Sequence, residues 1–341
     1  EVTEVKKLTD ALHESFGVLA VLFVHGEADV QSSTYEAKVL KLWNDYNTAI
    51  KLITGQQRDI IMILSVQASC PPTTGVRPKS TEACYNLAKL YPEKFIALPK
   101  YHFIYRDESP YYFGLHLTPP SERRLGEQAA HVLDLHLRNQ VSSLMLTSAT
   151  VNSNVITCNF DVPVGPLQWT NTSPTVHAQI AAWTAGKGFE VEDNTGNITI
   201  TSVQIVNNSV IITCATPPGA GKRLSYAMYQ DINGQFYAGL TAGRSGLLCD
   251  SDPFVGIHQE YFNAYMTNGY NVATASDVGA LRNHNAREFI FGSGLADGVY
   301  VTALTGDSAT MSTVWGGPTS NFLLRLQNDH RNHLVPFSIP L

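Results

Sequence analysis

The chain changes its hydrophobic period near residue 145, and that change limits the folds open to it. Before that point, short apolar runs alternate with stretches of helical spacing. Residues 18–24 (VLAVLFV) and 59–66 (DIIMILSV) are continuous apolar runs, the pattern of strands buried on both faces. Between them Val39, Leu42, Trp43, Tyr46, Ile50 and Ile53 recur at helical spacing, after a Ser33/Glu36 capping-box pattern and ahead of a closing Gly55. Further helices are expected over 1–16, over about 80–92 and after Thr118, with a short strand at Phe95–Leu98. Pro119 suits the first turn of the last helix, where Leu125, Ala129, Val132 and Leu133 share a face. Strand–helix alternation of this kind implies a mainly parallel sheet covered by helices.

After residue 145 the period falls to two. Residues 155–162, 197–206 and 209–214 alternate as half-buried strands, separated by turn signals such as Pro-Val-Gly-Pro at 163–166 and Pro-Pro-Gly-Ala-Gly at 217–221. The expected fold class is therefore α/β over residues 1–145, followed by a jelly-roll-like β-sandwich over 146–341. Residues 253–320, rich in Gly, Asn and Ala, read as long loops or an insertion in that second domain.

Charge narrows the function classes. Only 15% of the 341 residues are charged and the formal net charge is -6, with no run of Lys or Arg, so no nucleic-acid partner is expected. No apolar stretch approaches the roughly 18 residues of a membrane span. The cysteines Cys70, Cys84, Cys158, Cys214 and Cys249 are far apart and form no Cys-x-x-Cys pair, so buried free thiols are expected rather than disulfides or zinc. No metal site and no cofactor are implied. The sequence starts at Glu1 without a signal-peptide pattern and reads as a piece of something longer.

In open parallel sheets, ligands bind outside the carboxyl ends of the strands. His25-Gly26-Glu27-Ala28-Asp29 directly follows the first apolar run, and Gly114-Leu115-His116-Leu117-Thr118-Pro119 leads into the last helix. A serine hydrolase needs an imidazole to take the hydroxyl proton, an acid to orient it and donors facing the oxyanion. His116 on its loop and Glu27 at a strand end have the right chemistry. From spacing alone, a surface histidine and an ordinary strand-end glutamate are the commoner readings.

These two stretches resemble the SGNH hydrolase superfamily, in particular its sialate O-acetylesterase and acetylxylan esterase branch. That branch's third block typically reads Gln-Gly-Glu-Ser-Asp, against His25-Gly26-Glu27-Ala28-Asp29 here. Its last block reads Asp-Gly-x-His-Leu-Thr and leads into a helix with Leu-Gly-Glu. This chain has Phe113-Gly114-Leu115-His116-Leu117-Thr118 and then Leu125-Gly126-Glu127. The resemblance covers residues 1 to about 140 and implies a flavodoxin-like three-layer α/β/α domain. It implies His116 as general base, Glu27 as its acid, and His25 and Gly26 in the oxyanion or substrate site. Phe113 stands where many relatives carry Asp, which shifts the acid to Glu27 with Asp107 as fallback. The nucleophilic Ser, borne in that family on an earlier strand, is not in this chain. Gly306-Asp307-Ser308 spells its motif but falls after the other blocks, and Gly219-Ala220-Gly221-Lys222 is a turn rather than a P-loop. An upstream segment of the same gene product is expected to supply both the strand and the Ser.

Leu248-Cys249-Asp250-Ser251-Asp252-Pro253 and Asn332-His333-Leu334-Val335-Pro336-Phe337-Ser338 resemble patterns in bacteriophage tail-spike and tail-fibre esterases, with Cys249 in place of an Arg and His333 in place of an aromatic. The Asp250 stretch reads as a capped turn with no direct catalytic part. Together the resemblances imply a virion-borne, homotrimeric esterase acting on O-acetylated host polysaccharide. The alternatives are a non-catalytic receptor-binding adhesin on the same fold, or a bacterial polysaccharide deacetylase with a sugar-binding domain. Trp169, Trp183, Tyr226 and Tyr229 are candidate sugar platforms, against ordinary packing roles.

Overall fold

Helical spacing in the first half becomes helices, and the apolar runs become parallel strands. The computed structural model describes residues 1–67, 77–103, 105–107, 113–117, 119–170, 185–228, 246–254, 299–305, 308–313 and 331–341. The order is α1 (Val2–Ala11), β1 (Ala20–Val24), α2 (Tyr35–Thr54), β2 (Ile61–Val66), α3 (Lys79–Leu90) and β3 (Phe95–Pro99). The strands form one parallel sheet in the order β1-β2-β3, with Val24 beside Ser65 and Ser65 beside Leu98 at the carboxyl end. In α2, Tyr35, Val39, Trp43 and Ile50 are buried, and the Trp43 indole donates to the Ile60 carbonyl at 3.1 Å, pinning the helix to the start of β2. Gly55 ends the helix at φ 75, a left-handed conformation that glycine adopts without a side-chain clash. The capping box does not form. Thr34 is the N-cap, without a side-chain bond, and Glu36 instead accepts from Asn86 of α3 at 2.9 Å.

The expectation that β1 is buried on both faces is overturned. Every residue of β2 and β3 is buried, but none of the five in β1 is, and Leu22 and Val24 are 39% and 53% exposed. Among the described residues β1 pairs only with β2, so one edge lacks a neighbour, while Ala20, Val21 and Phe23 still pack half-buried against the core. Helix α1 has no buried residue either.

After β3 come a short antiparallel hairpin, β4 (Tyr105–Asp107) with β5 (Phe113–Leu117), and α4 (Pro119–Leu137). Leu125, Ala129 and Val132 of α4 are buried as expected, and Leu133 packs half-buried against the same core.

The β-rich half holds β6 (Met145–Asn152), β7 (Val155–Asp161), β8 (Gln168–Trp169), β9 (Phe189–Asp193), β10 (Gly196–Ile198), β11 (Ile200–Val206), β12 (Ser209–Cys214), β13 (Arg223–Tyr226), β14 (Leu248–Cys249), β15 (Val299–Thr305), β16 (Ser308–Thr313) and β17 (Phe337–Pro340). Two four-stranded antiparallel sheets run β11-β12-β7-β6 and β10-β9-β13-β17. The period-two reading holds in β7 and β12, where Ile156, Cys158 and Phe160, and Val210, Ile212 and Cys214, are the buried sets. Residues 197–206, expected as one strand, divide at Thr199. Ile198 pairs with Val191 in one sheet, Ile200 pairs with Cys214 in the other, and the register shifts at once between Ile200 and Ser202. A bend or bulge is the usual way for a strand to pass between sheets. Within 253–320, the described part is the end of the Asp250 segment and the β15–β16 hairpin. That hairpin's second strand begins at Ser308, while Gly306 and Asp307 lie outside the described residues.

Both halves share one core. The Tyr85 hydroxyl of α3 donates to the Leu146 carbonyl at 3.0 Å, its ring lies 5.6 Å from Phe337, and the Tyr101 hydroxyl donates to the Leu334 carbonyl at 2.9 Å. Cys84, Cys158, Cys214 and Cys249 are free and buried, while Cys70 lies outside the described residues. Among the described residues no helix is long and apolar enough to cross a membrane.

Candidate functional site

The carboxyl ends of β1, β2 and β3 bring together His25–Asp29, Gln67 and Lys100–His102. Gly26 is the pivot. It is buried at φ 124, and a Cβ there would meet the Tyr35 hydroxyl at 3.1 Å and Gln67 and Ser80 at 3.3 Å. Its carbonyl accepts from the Ser80 hydroxyl at 2.8 Å. Gln67 donates to Ser80 Oγ at 3.0 Å and Thr81 Oγ1 at 2.8 Å, and Thr81 returns a bond to the Gln67 carbonyl. This buried knot fixes the ends of two strands against the first turn of α3.

Glu27 projects from this knot into an ion pair with Lys100, whose side chain is 4% exposed against 21% for Glu27. The pair reaches from the end of β1 to the end of β3, across the end of β2. A buried pair of this kind is far more costly to break on one side than to replace whole. Sequence reasoning missed Lys100, since one lysine after a strand carries no pattern. Burial, then the charge of Glu27, pushes the nearby Cys84 thiol up to about 12, with Lys100 opposing.

Of the expected His116–Glu27 couple, Glu27 has Lys100 as its partner. His116 was expected on a loop; its backbone lies in β5 opposite Arg106, and its side chain is outside the described residues. The same holds for Asp107, which pairs in register with Phe113.

His25 has partners of its own. Nδ1 is 3.1 Å from the Tyr35 hydroxyl and Nε2 is 3.7 Å from Asp29 Oδ2. The ring stacks on Phe23 at 5.3 Å and on Tyr35 at 5.8 Å, with half of the side chain in solvent. Burial, followed by the charges of Cys84, Asp29 and Glu27, pushes the Tyr35 phenol well above its usual range, so it keeps its proton. A protonated phenol suits a tautomer in which Nδ1 accepts and Nε2–H turns toward Asp29.

A second polar cluster joins α4 to the β-rich half. Asp250 Oδ1 accepts from the Asp252 amide at 3.2 Å and Asp252 Oδ1 from the Phe254 amide at 2.9 Å, the capped turn read from the sequence. The cluster is nonetheless buried. Asn332 donates to Asp250 Oδ2 at 2.8 Å and Asp252 Oδ2 at 3.1 Å, and His131 Nε2 lies 2.6 Å from Asp252 Oδ2. Burial pushes the Asp250 carboxyl up against its hydrogen bonds. For Asp252 burial also pushes up, but the bonds from His131, Phe254 and Asn332 outweigh it and hold the group below its ordinary value. His333 stacks on His102 at 3.9 Å and 9°. Tyr226 is a core residue, Trp169 is half-buried with the Lys187 ammonium 4.3 Å from its ring centroid, and Trp183 and Tyr229 lie outside the described residues.

At the opposite end of β3, a groove of about 640 Å³ between α3, α4 and β6 is lined by Lys89, Glu93, His136 and Asp161 among others, and by none of the expected site residues. Among the described residues no cluster of three or more His, Cys, Asp or Glu side chains is placed to hold a metal ion.

No protein-family model matches the sequence, and no curated protein matches it. Among solved structures, a carbohydrate acetylesterase from Xanthomonas citri superposes with a TM-score of 0.46 at 12% identity, covering 69% of this chain and 50% of that one. The chain thus spans about half the length of that enzyme. A similarity this shallow carries no information about substrate or mechanism.

Proposed function

We propose that this chain carries the base and acid of a serine carbohydrate O-acetylesterase that deacetylates a host surface polysaccharide from a bacteriophage tail spike or fibre. On this reading residues 1–145 belong to a flavodoxin-like SGNH domain and 146–341 to a jelly-roll-like sandwich. The observation that carries it is the placement of Glu27, an ion-paired carboxylate at the carboxyl end of a parallel strand, in the block that resembles the esterase motif. The open apolar edge of β1 supports a further strand beside it, brought with the nucleophilic Ser by an upstream segment.

In the reaction, the Ser hydroxyl attacks the acetyl carbonyl while His116 takes its proton. Glu27 holds the imidazole in the tautomer that accepts it. Backbone donors near the nucleophile and Gly26, with His25, face the oxyanion. The tetrahedral intermediate expels the sugar alkoxide, which takes the proton from His116. Water, deprotonated by the same imidazole, attacks the acyl-enzyme, and acetate leaves as His116 returns that proton to the Ser oxygen.

Acetate release from O-acetylated bacterial polysaccharide by the full-length protein, with H116A alongside, tests this. Release that disappears in H116A is expected, and release that survives overturns the base assignment. The homotrimer predicts three chains per particle in analytical ultracentrifugation. The adhesin reading is favoured by one observation: His25 is occupied by Tyr35 and Asp29 rather than left open as an oxyanion donor. Tight binding of acetylated polysaccharide with no acetate released would establish that reading instead.

A further inference from the structure

The role of Lys100 rests on the esterase reading and extends it. Three features set this residue apart. Its ammonium is buried and follows β3 directly, so it has little freedom to move. Its partner Glu27 follows the far strand of the sheet, so the pair crosses the carboxyl end of β2, where ligands of such sheets bind. The pair also uses one carboxylate oxygen: Lys100 engages Oε1, and among the described residues Oε2 accepts no hydrogen bond, although the side chain keeps 21% exposure. A carboxylate anchored at one oxygen and open at the other is the form in which an acid orients an imidazole. A glutamate has three side-chain torsions, and without an anchor it populates several rotamers at a strand end.

We propose that Lys100 is the positioning residue for the catalytic acid, anchoring Glu27 by one oxygen so that the other is presented to the imidazole base. A mere staple between β1 and β3 would affect stability and leave turnover alone. A positioning residue acts on kcat, and acts only through Glu27.

The test measures kcat and KM for acetate release from O-acetylated polysaccharide by the full-length protein and three variants: K100M, E27Q and E27Q/K100M. The expected result is a kcat lowered about 10- to 100-fold in K100M, the range usual when a supporting partner of a catalytic group is lost, with KM within about twofold of wild type. The double variant is expected to be no slower than E27Q alone, because the interaction has already been removed. If K100M does not fold, the double variant decides, since it removes the Lys100 ammonium and the Glu27 carboxylate together. Wild-type kcat in K100M overturns the inference and leaves the esterase reading standing. A double variant clearly slower than E27Q also overturns it, because Lys100 would then act by another route. No acetate from the wild-type protein removes the esterase reading and this inference with it.

Discussion

The outer edge of the parallel sheet and the junction between the two halves invert the usual rule of burial. At the edge, Leu22 and Val24 of β1 are apolar and exposed. At the junction, Asp250, Asp252, Asn332, His102, His333 and Arg124 are polar or charged and buried. Hydropathy of a residue therefore does not decide its burial here. The neighbours do. The junction groups can be buried because each carboxylate of the Asp250–Asp252 turn has donors aimed at it, whereas the edge residues stay exposed because no described element lies over them. Exposed apolar strand residues with an open backbone edge are what a docking partner needs and what an isolated chain pays for in solubility.

The strongest test of the comparison is Asn332→Ala. It deletes donors to two buried carboxylates at once, and bonds to charged groups are worth about 1.5–3 kcal/mol each, so a loss of roughly 3 kcal/mol or more is expected in urea unfolding. A loss below 1 kcal/mol would mean that the buried network is not what holds the junction. Next in size is Leu64→Ala at the centre of β2, 1% exposed, expected to cost about 2–5 kcal/mol.

These two substitutions differ in how visible they were beforehand. Leu64 lies in an apolar run that announced a buried strand, and the helical spacing and Gly55 gave α2 nearly to the residue. The partners of Asp252 were invisible, because His131 lies 121 residues away and Asn332 lies 80 away. Lys100 was missed for the same reason: what distinguishes it is Glu27 across the sheet. The run at 18–24 misled in the opposite direction. It reports a surface that favours burial, and burial needs a neighbour that a local pattern cannot supply. His116 lies ahead of α4 in a strand rather than in the expected loop.

The junction also makes a smaller, signed prediction in pH. Asp252 is held below its ordinary value, so its contribution to stability is full above the unfolded carboxyl value of about 3.9 and is lost as pH falls through the folded one. Asp250 is pushed up, so its effect runs the other way, with stability gained as pH falls through its raised value. Below about pH 4, Asp252→Asn is expected to flatten the acid loss of stability relative to wild type, whereas Asp250→Asn acts above about pH 4, where it removes the stability that wild type gains as pH falls through the raised Asp250 value. Chemical denaturation at a series of pH values reads both slopes. Identical slopes in the two variants would show that the carboxylates do not titrate separately from the rest of the fold.

The smallest effect carries the most about what is missing from the edge. Leu22→Ala removes the same atoms as Leu64→Ala, but from a side chain 39% exposed on a strand paired on one side. Little water is excluded there, so the cost in the 341-residue chain should stay below about 1 kcal/mol, against about 2–5 kcal/mol for Leu64 in β2. The two values should converge in the full-length protein if an upstream strand pairs with β1, since Leu22 would then be covered on its open side. Denaturant titration of both variants in both lengths of protein separates the cases. Convergence would make the edge a docking surface completed within the same gene product. An unchanged gap, with Leu22→Ala still near neutral at full length, would mean that the edge stays open and would remove the structural support for an upstream nucleophile strand beside β1.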